Sequence, residues 1–212
     1  MIDQLYIDFD HTLFDTARLS RQVRGIFLDA GMPEDVFDVT LTEAKQGKGG
    51  TSFWNYSFEH HIEVCAAAGY EYAYLLPILE TLIQEDHSFS DTYTFLSWAR
   101  AHARTMYLLT AGNPDFQMKK IATTHIPEYI DDIIICHHKK YEEVALRIQD
   151  QKRLVFVNDN VQENIDVKNH VKNMLVVTKK YLVRHSEEEI IQSGIPAFDT
   201  LTDIQHYIQK VL

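Results

Sequence analysis

Tyr6-Ile7-Asp8-Phe9-Asp10-His11-Thr12-Leu13-Phe14-Asp15 closes a short apolar run that starts almost at the first residue. Asp disfavours a strand, and two like charges this close repel one another and raise a pKa. The pair brings no structural benefit unless something positive sits between the carboxylates. A hard divalent cation suits it, because magnesium takes oxygen ligands and is often held by one or two carboxylates plus a substrate phosphate. Residues 5–9 therefore read as a buried strand whose end carries chemistry.

Four more runs of this kind follow, at residues 105–109, 133–136, 154–157 and 174–177. Each is brief, rich in Ile, Val, Leu or aromatic residues, and nearly continuous. Strands of a parallel sheet read this way when both faces are covered. Amphipathic helical patterns at 116–124, 141–149 and 161–171 alternate with them. The expected fold is α/β: a Rossmann-like parallel sheet of five or six strands with helices on both faces, and ligands at the carboxyl ends of the strands. Residues 195–198 offer an edge strand, where Pro196 is tolerated. Residues 186–193 read as a short acidic helix and 202–211 as a closing amphipathic one.

About ninety residues separate the first two strands, far more than a crossover needs. They read as helices at 16–30, 34–46, 52–68, 71–84 and 92–102, the first stopped by Gly31-Met32-Pro33. Residues 14–86 are expected to form an all-helical insertion, with 1–13 and 87–212 as the core. Gly47-Lys48-Gly49-Gly50 marks a hinge or loop within the insertion.

The 212 residues suffice for a full core, as one domain or a domain plus an insertion. A hydrophobic fraction of 45% and a charged fraction of 24% are those of a soluble globular protein. The net charge of −11, with no dense run of Lys or Arg, argues against nucleic acid as a partner. Cys65 and Cys136 lack CxxC spacing, which argues against a disulfide framework or zinc site and fits a reducing, cytoplasmic setting. No apolar run reaches membrane-spanning length, and the N-terminus lacks a signal-peptide pattern.

Three further strand ends carry polar residues. The second strand ends in Leu108-Leu109-Thr110-Ala111-Gly112-Asn113, a hydroxyl followed by a small-residue turn that opens a helix at Pro114. Backbone N–H groups of such a turn suit an anion. The third strand is followed by His137-His138-Lys139-Lys140. The fourth ends in Phe156-Val157-Asn158-Asp159-Asn160, with Glu163 close to Asp159 on the opening helical turn.

In this chain order the residues resemble the haloacid dehalogenase superfamily, chiefly its magnesium-dependent phosphohydrolases. The four motifs of that superfamily are hhhDxDx[TV], hhh[ST], a Lys, and hhhh[GD]DxxxD. Ile7-Asp8-Phe9-Asp10-His11-Thr12 matches the first and Thr110 the second; Lys139 or Lys140 supplies the third, and Asn158-Asp159 with Glu163 the fourth. The resemblance implies that residues 14–86 are a helical cap domain that closes over the core and selects the leaving group. It implies Asp8 as nucleophile and Asp10 as general acid and base. Asp8, the Asp10 carbonyl and Asp159 would hold Mg2+. Thr110, Ala111 and a Lys would hold the phosphoryl group, with Glu163 and Thr12 in support behind them. His11 stands where Gly is frequent, Asn158 replaces Gly or Asp, and Glu163 replaces Asp. Counted from Lys140, Val144 and Ile148 fall at helical spacing, which favours Lys140 over Lys139.

Other tempting residues read more plainly. Adjacent His60 and His61 diverge on a helix and make a poor chelator. His137 and His138 lie nearer the expected site. Phe53, Trp54, Tyr56 and Phe58 read as core of the insertion, with a substrate-pocket wall as the alternative. Lys45 and Lys48 flank the Gly-rich loop and could reach an anionic substrate. The expected activity is magnesium-dependent hydrolysis of a small phosphomonoester. A phosphomutase, a dehalogenase and a catalytically silent binding domain are the rivals. The expected partner is a small phosphorylated metabolite, without nucleic acid or membrane, for a monomer or homodimer.

Overall fold

The computed structural model describes residues 1–46, 55–148 and 152–212. The Gly-rich segment at 47–50, Lys48, Phe53, Trp54 and the start of the 52–68 helix lie outside the described residues.

In chain order the described elements are β1 (Ile2–Ile7), α1 (Thr16–Asp29), α2 (Glu34–Lys45), α3 (Phe58–Ala67), α4 (Leu76–Leu82), α5 (Thr92–His102), β2 (Ala103–Ala111), α6 (Pro114–Ala122), β3 (Asp132–Cys136), α7 (Lys140–Arg147), β4 (Leu154–Asn158), α8 (Val161–His170), β5 (Met174–Lys179), α9 (Glu187–Gln192), β6 (Ala197–Phe198) and α10 (Leu201–Val211). The strands form one six-stranded sheet in the order β3-β2-β1-β4-β5-β6. β1 runs parallel to β2 and to β4, β4 to β5, and β5 to β6. This is the expected α/β architecture. β1 and β4 lie in the middle of the sheet, and Leu5, Tyr6, Ile7, Val155, Phe156 and Val157 are all completely buried. Each such aliphatic or Phe side chain contributes about 1.5–3 kcal/mol relative to exposure.

The first strand ends earlier than its apolar run. The Asp8 N–H still donates to the Val157 carbonyl at 2.9 Å, but the Phe9 carbonyl then accepts from the N–H groups of Leu13 and Phe14 at 2.9 and 3.0 Å. The chain curls there, so Asp8 and Asp10 lie on a loop beyond β1. Similarly, the expected helix at 71–84 breaks into a 3-10 turn at Ala73–Leu75 and then α4, whose first turn accommodates Pro77. α3 begins at Phe58, where the Ser57 hydroxyl accepts from the His60 N–H at 3.1 Å.

The chain divides into two compact units, residues 1–15, 88–110 and 125–212, and residues 16–87 with 111–124. The second unit thus takes in α6, which strand–helix alternation assigns to the sheet. The side chains explain it. The Phe116 ring lies 5.4 Å from Tyr56 and 4.9 Å from Phe58. Lys119 Nζ donates to Glu59 and Glu80 at 2.9 and 2.8 Å. Asn113 donates to Asn55 at 3.0 Å. Phe58 is core of the helical unit, as its sequence context suggests, and Tyr56 is half-buried beside it.

His61 is the polar centre of that unit. It is fully buried, with its ring nitrogens 3.2 Å from the Thr40 and Tyr56 hydroxyls. The neighbouring His60 instead lies beside Glu63. Burial lowers the His61 pKa to about 4, so the ring is neutral at pH 7. A folded value below the unfolded one favours folding above about pH 6.5, and that contribution is lost as pH falls toward 4. A shift from 6.5 to about 4 corresponds to about 3 kcal/mol. Urea unfolding should therefore show a lower midpoint at pH 5 than at pH 7, and His61→Gln should flatten that dependence. An equal pH dependence in both proteins would refute the assignment.

Cys65 and Cys136 are free and buried. No described helix is long and apolar enough to cross a membrane.

Candidate active site

Strand register sets the site. Ile7 pairs with Leu108 of β2 and with Val157 of β4. Asp8, Thr110 and Asp159 therefore lie just beyond this level, at the carboxyl edge of adjacent strands. All three are buried, Asp8 at 3% exposure.

Asp8 is held on both oxygens. Oδ1 accepts from Lys140 Nζ at 2.5 Å, and Oδ2 accepts from the Thr12 hydroxyl at 3.3 Å. Lys140 is the first residue of α7, where the helix dipole disfavours a cation. Its position is explained by carboxylates: besides Asp8, Glu163 Oε2 lies 2.9 Å from Nζ. Asn158 joins the two, accepting from Lys140 at 3.3 Å and donating to Glu163 at 3.0 Å. Asn164 donates to the Asn158 carbonyl at 3.1 Å and to the Thr178 hydroxyl at 2.8 Å. Glu163 sits in the first turn of α8, which Asn160 caps, so the helix dipole favours its charge.

The two Lys differ in position. Lys139 lies at the surface, paired with Asp166 at 3.5 Å; Lys140 enters the cluster. His137 and His138 are exposed. Ala111 closes β2, and its carbonyl accepts from Gln117 at 3.1 Å. Gly112 follows with φ of +135°, a conformation side chains rarely adopt, and a Cβ there would meet the Gln117 side chain at 3.4 Å. Asn113 caps α6 by accepting from the Phe116 N–H at 3.1 Å.

Charges within the cluster do not balance. Asp8, Asp159 and Glu163 face Lys140 and Arg184, whose guanidinium donates to Asp159 Oδ2 at 3.4 Å. Burial raises the Asp8 pKa, and repulsion from Glu163 and Asp10 adds to it. Burial and repulsion from Asp8 raise Asp159 well above the usual carboxylate range. Burial also opposes ionisation of Glu163, but the Lys140 charge and its hydrogen bonds prevail and lower the pKa. Lys140 stays protonated, because Asp8 and Glu163 outweigh its desolvation and raise its pKa.

Among the described residues, no three His, Cys, Asp or Glu side chains form a group able to hold a metal. The ligand set implied by resemblance differs: two carboxylates, Asp8 and Asp159, and the Asp10 carbonyl. Hard oxygen donors with excess negative charge fit Mg2+.

Three residues near this edge escape motif reading. Lys179, the last residue of β5, is buried; its Nζ donates to the His11 carbonyl at 3.3 Å and sits 3.7 Å from the Phe89 ring centroid. Tyr181 stacks on the His11 ring, with centroids 3.9 Å apart. Arg184 reaches Asp159. Lys179 is findable as another strand-end residue, whereas Tyr181 and Arg184 lie in an irregular turn and carry no such signal.

No protein-family model and no curated protein matches the sequence. Solved structures do match along almost the whole chain. L-2-haloacid dehalogenase from Xanthobacter autotrophicus is 15% identical with a TM-score of 0.66, covering 100% of both chains. The HAD-hydrolase YfnB from Bacillus subtilis, solved bound to magnesium, is 17% identical with a TM-score of 0.62, covering 98% of both. A Thermotoga maritima protein assigned as β-phosphoglucomutase is 12% identical with a TM-score of 0.67, covering 100% of both. At such low identity the likeness concerns architecture, and the chain shares the haloacid dehalogenase-type α/β fold of these proteins.

Proposed function

We propose that this protein is a magnesium-dependent phosphohydrolase that cleaves a small phosphomonoester, with the helical insertion as its cap. The observation that carries the reading is the buried Asp8 carboxylate, 2.5 Å from Lys140 and flanked by Asp159 at the carboxyl edge of the sheet. Asp8, Asp159 and Glu163 share two cations, Lys140 and Arg184, and a buried carboxylate in excess of its cations costs more than it returns to the fold.

Asp8 attacks phosphorus; an Asp8–phosphate bond forms as the ester P–O bond breaks, and Asp10 protonates the departing alkoxide. Asp10 then removes a proton from water, which attacks phosphorus and releases inorganic phosphate and free Asp8. Thr12 and Lys140 orient Asp8, and Lys140 with Thr110 stabilises charge growing on the phosphoryl oxygens. Magnesium held by Asp8, the Asp10 carbonyl and Asp159 would offset the repulsion between carboxylate and phosphate. A cytoplasmic setting and a monomer or homodimer belong to the same reading.

A panel of metabolite phosphates, assayed with magnesium or with a chelator, tests it. Phosphate release that depends on magnesium is the expected result. Chloride release from a 2-chlorocarboxylic acid without phosphatase activity would overturn the proposal in favour of dehalogenation. A separate result is expected in the absence of substrate: magnesium at a hundred times its Kd should stabilise the fold by about 2.7 kcal/mol. Asp159→Ala should abolish the resulting rise in Tm. The rise should also shrink in mild acid, because the raised pKa values of Asp8 and Asp159 let protons compete there.

A further inference from the structure

His11 is a non-glycine residue in the left-handed region, with φ of +59°, between Asp10 and Thr12 in the loop that presents Asp8. A side chain there crowds its own backbone, and only surrounding structure maintains such a conformation. Within the loop, the His11 N–H donates to the Phe14 carbonyl at 2.8 Å and the Thr12 hydroxyl to Asp8 Oδ2 at 3.3 Å. Further restraints come from a segment after β5. Tyr181 stacks on the His11 ring at 3.9 Å with the planes 16° apart, and Lys179 donates to the His11 carbonyl at 3.3 Å. The same segment brings Arg184 to Asp159 at 3.4 Å. Residues 179–184 thus touch both acidic loops.

We propose that Tyr181 is a positioning residue: by stacking on His11 it holds the Asp8–Thr12 loop in its left-handed turn, and so sets the direction in which Asp8 and Asp10 face the substrate. This rests on the proposed phosphohydrolase activity. The aromatic face opposite residue 11 takes over a conformational task that glycine, with no Cβ, performs unaided.

A double-mutant cycle tests this with Y181A and H11G, read by steady-state kinetics on an aryl phosphate and by urea unfolding. Misplacement of the reacting groups costs rate more than binding, so Y181A should lower kcat on the order of tenfold or more with little change in KM. Y181F, which retains the stacking face, should restore kcat. Adding H11G to Y181A should recover most of the loss, because glycine adopts the turn without support. Equal loss from Y181A in the wild-type and H11G backgrounds overturns the proposal, as does full activity of Y181A. If the wild-type chain hydrolyses no phosphomonoester, the functional reading fails by itself. Urea unfolding then still decides the clamp: Y181A should lower the midpoint in the wild-type background and not in H11G, and an equal drop in both overturns it.

Discussion

Asp8→Asn should leave a folded protein whose phosphomonoester turnover is lower by roughly 10⁴- to 10⁶-fold, the scale seen when a covalent nucleophile is removed. An amide of nearly the same shape cannot form the phosphoryl bond. The effect should be chemical and not structural. Asp8 is buried with its pKa raised, so its charge weighs against folding at neutral pH. Replacing it leaves Asp159 and Glu163 facing Arg184 and Lys140, a balanced set. The Tm should therefore stay near or above that of the wild type. Full magnesium-dependent activity in the purified variant would sink the mechanism, and collapse of the fold would show the charge balance to be misjudged.

Lys140→Ala should damage both fold and activity. It removes the ammonium that touches Asp8 at 2.5 Å and Glu163 at 2.9 Å, with Lys140 and Asp8 screened from water and Glu163 partly exposed. Breaking a buried pair and leaving its partner charged costs about 3–5 kcal/mol. Losing a donor to a developing phosphoryl charge costs about 10²- to 10³-fold in kcat. Lys140 has a folded pKa above its unfolded value, so its contribution is complete at neutral pH and lost only as pH rises beyond the ordinary Lys range. In the variant the stability gap should narrow toward acid pH, as Asp8 and Asp159 take up protons. Lys139→Ala, at an exposed pair with Asp166, should change stability by less than about 1 kcal/mol. Similar losses from the two substitutions would contradict the assignment of Lys140.

Strand ends were the most legible part of this molecule. Val155, Phe156 and Val157 need burial on both faces, and Asp159 two residues on disfavours a strand, so β4 and the position of Asp159 follow from residue type. The end of β1 did not follow, because Phe9 is as apolar as Ile7; only the backbone bonds accepted by the Phe9 carbonyl turn the chain away. The two Lys could not be separated by charge, since adjacent helical residues diverge and which one enters the sheet edge depends on where α7 begins. Its place after a strand assigns α6 to the sheet, yet Phe116 and Lys119 find their partners in α3 and α4. Tyr181 and Arg184 act across long sequence separations from an irregular turn, where periodicity has nothing to say.

The central place of β1 bears on how the chain reaches this state. Gln4 pairs with Thr105 on one side and with Leu154 on the other. During synthesis at ~5–20 residues per second, β1 waits roughly 8–30 s for its second neighbour. Throughout that interval an apolar strand has an open hydrogen-bonding edge, the condition that invites pairing with the wrong chain. Helices α1 to α4, built from contacts close in sequence, can consolidate sooner. The segment that carries the nucleophile is thus translated well before the strand that closes its second edge, and recovery of soluble protein should respond to translation rate and to chaperones that shield nascent strands.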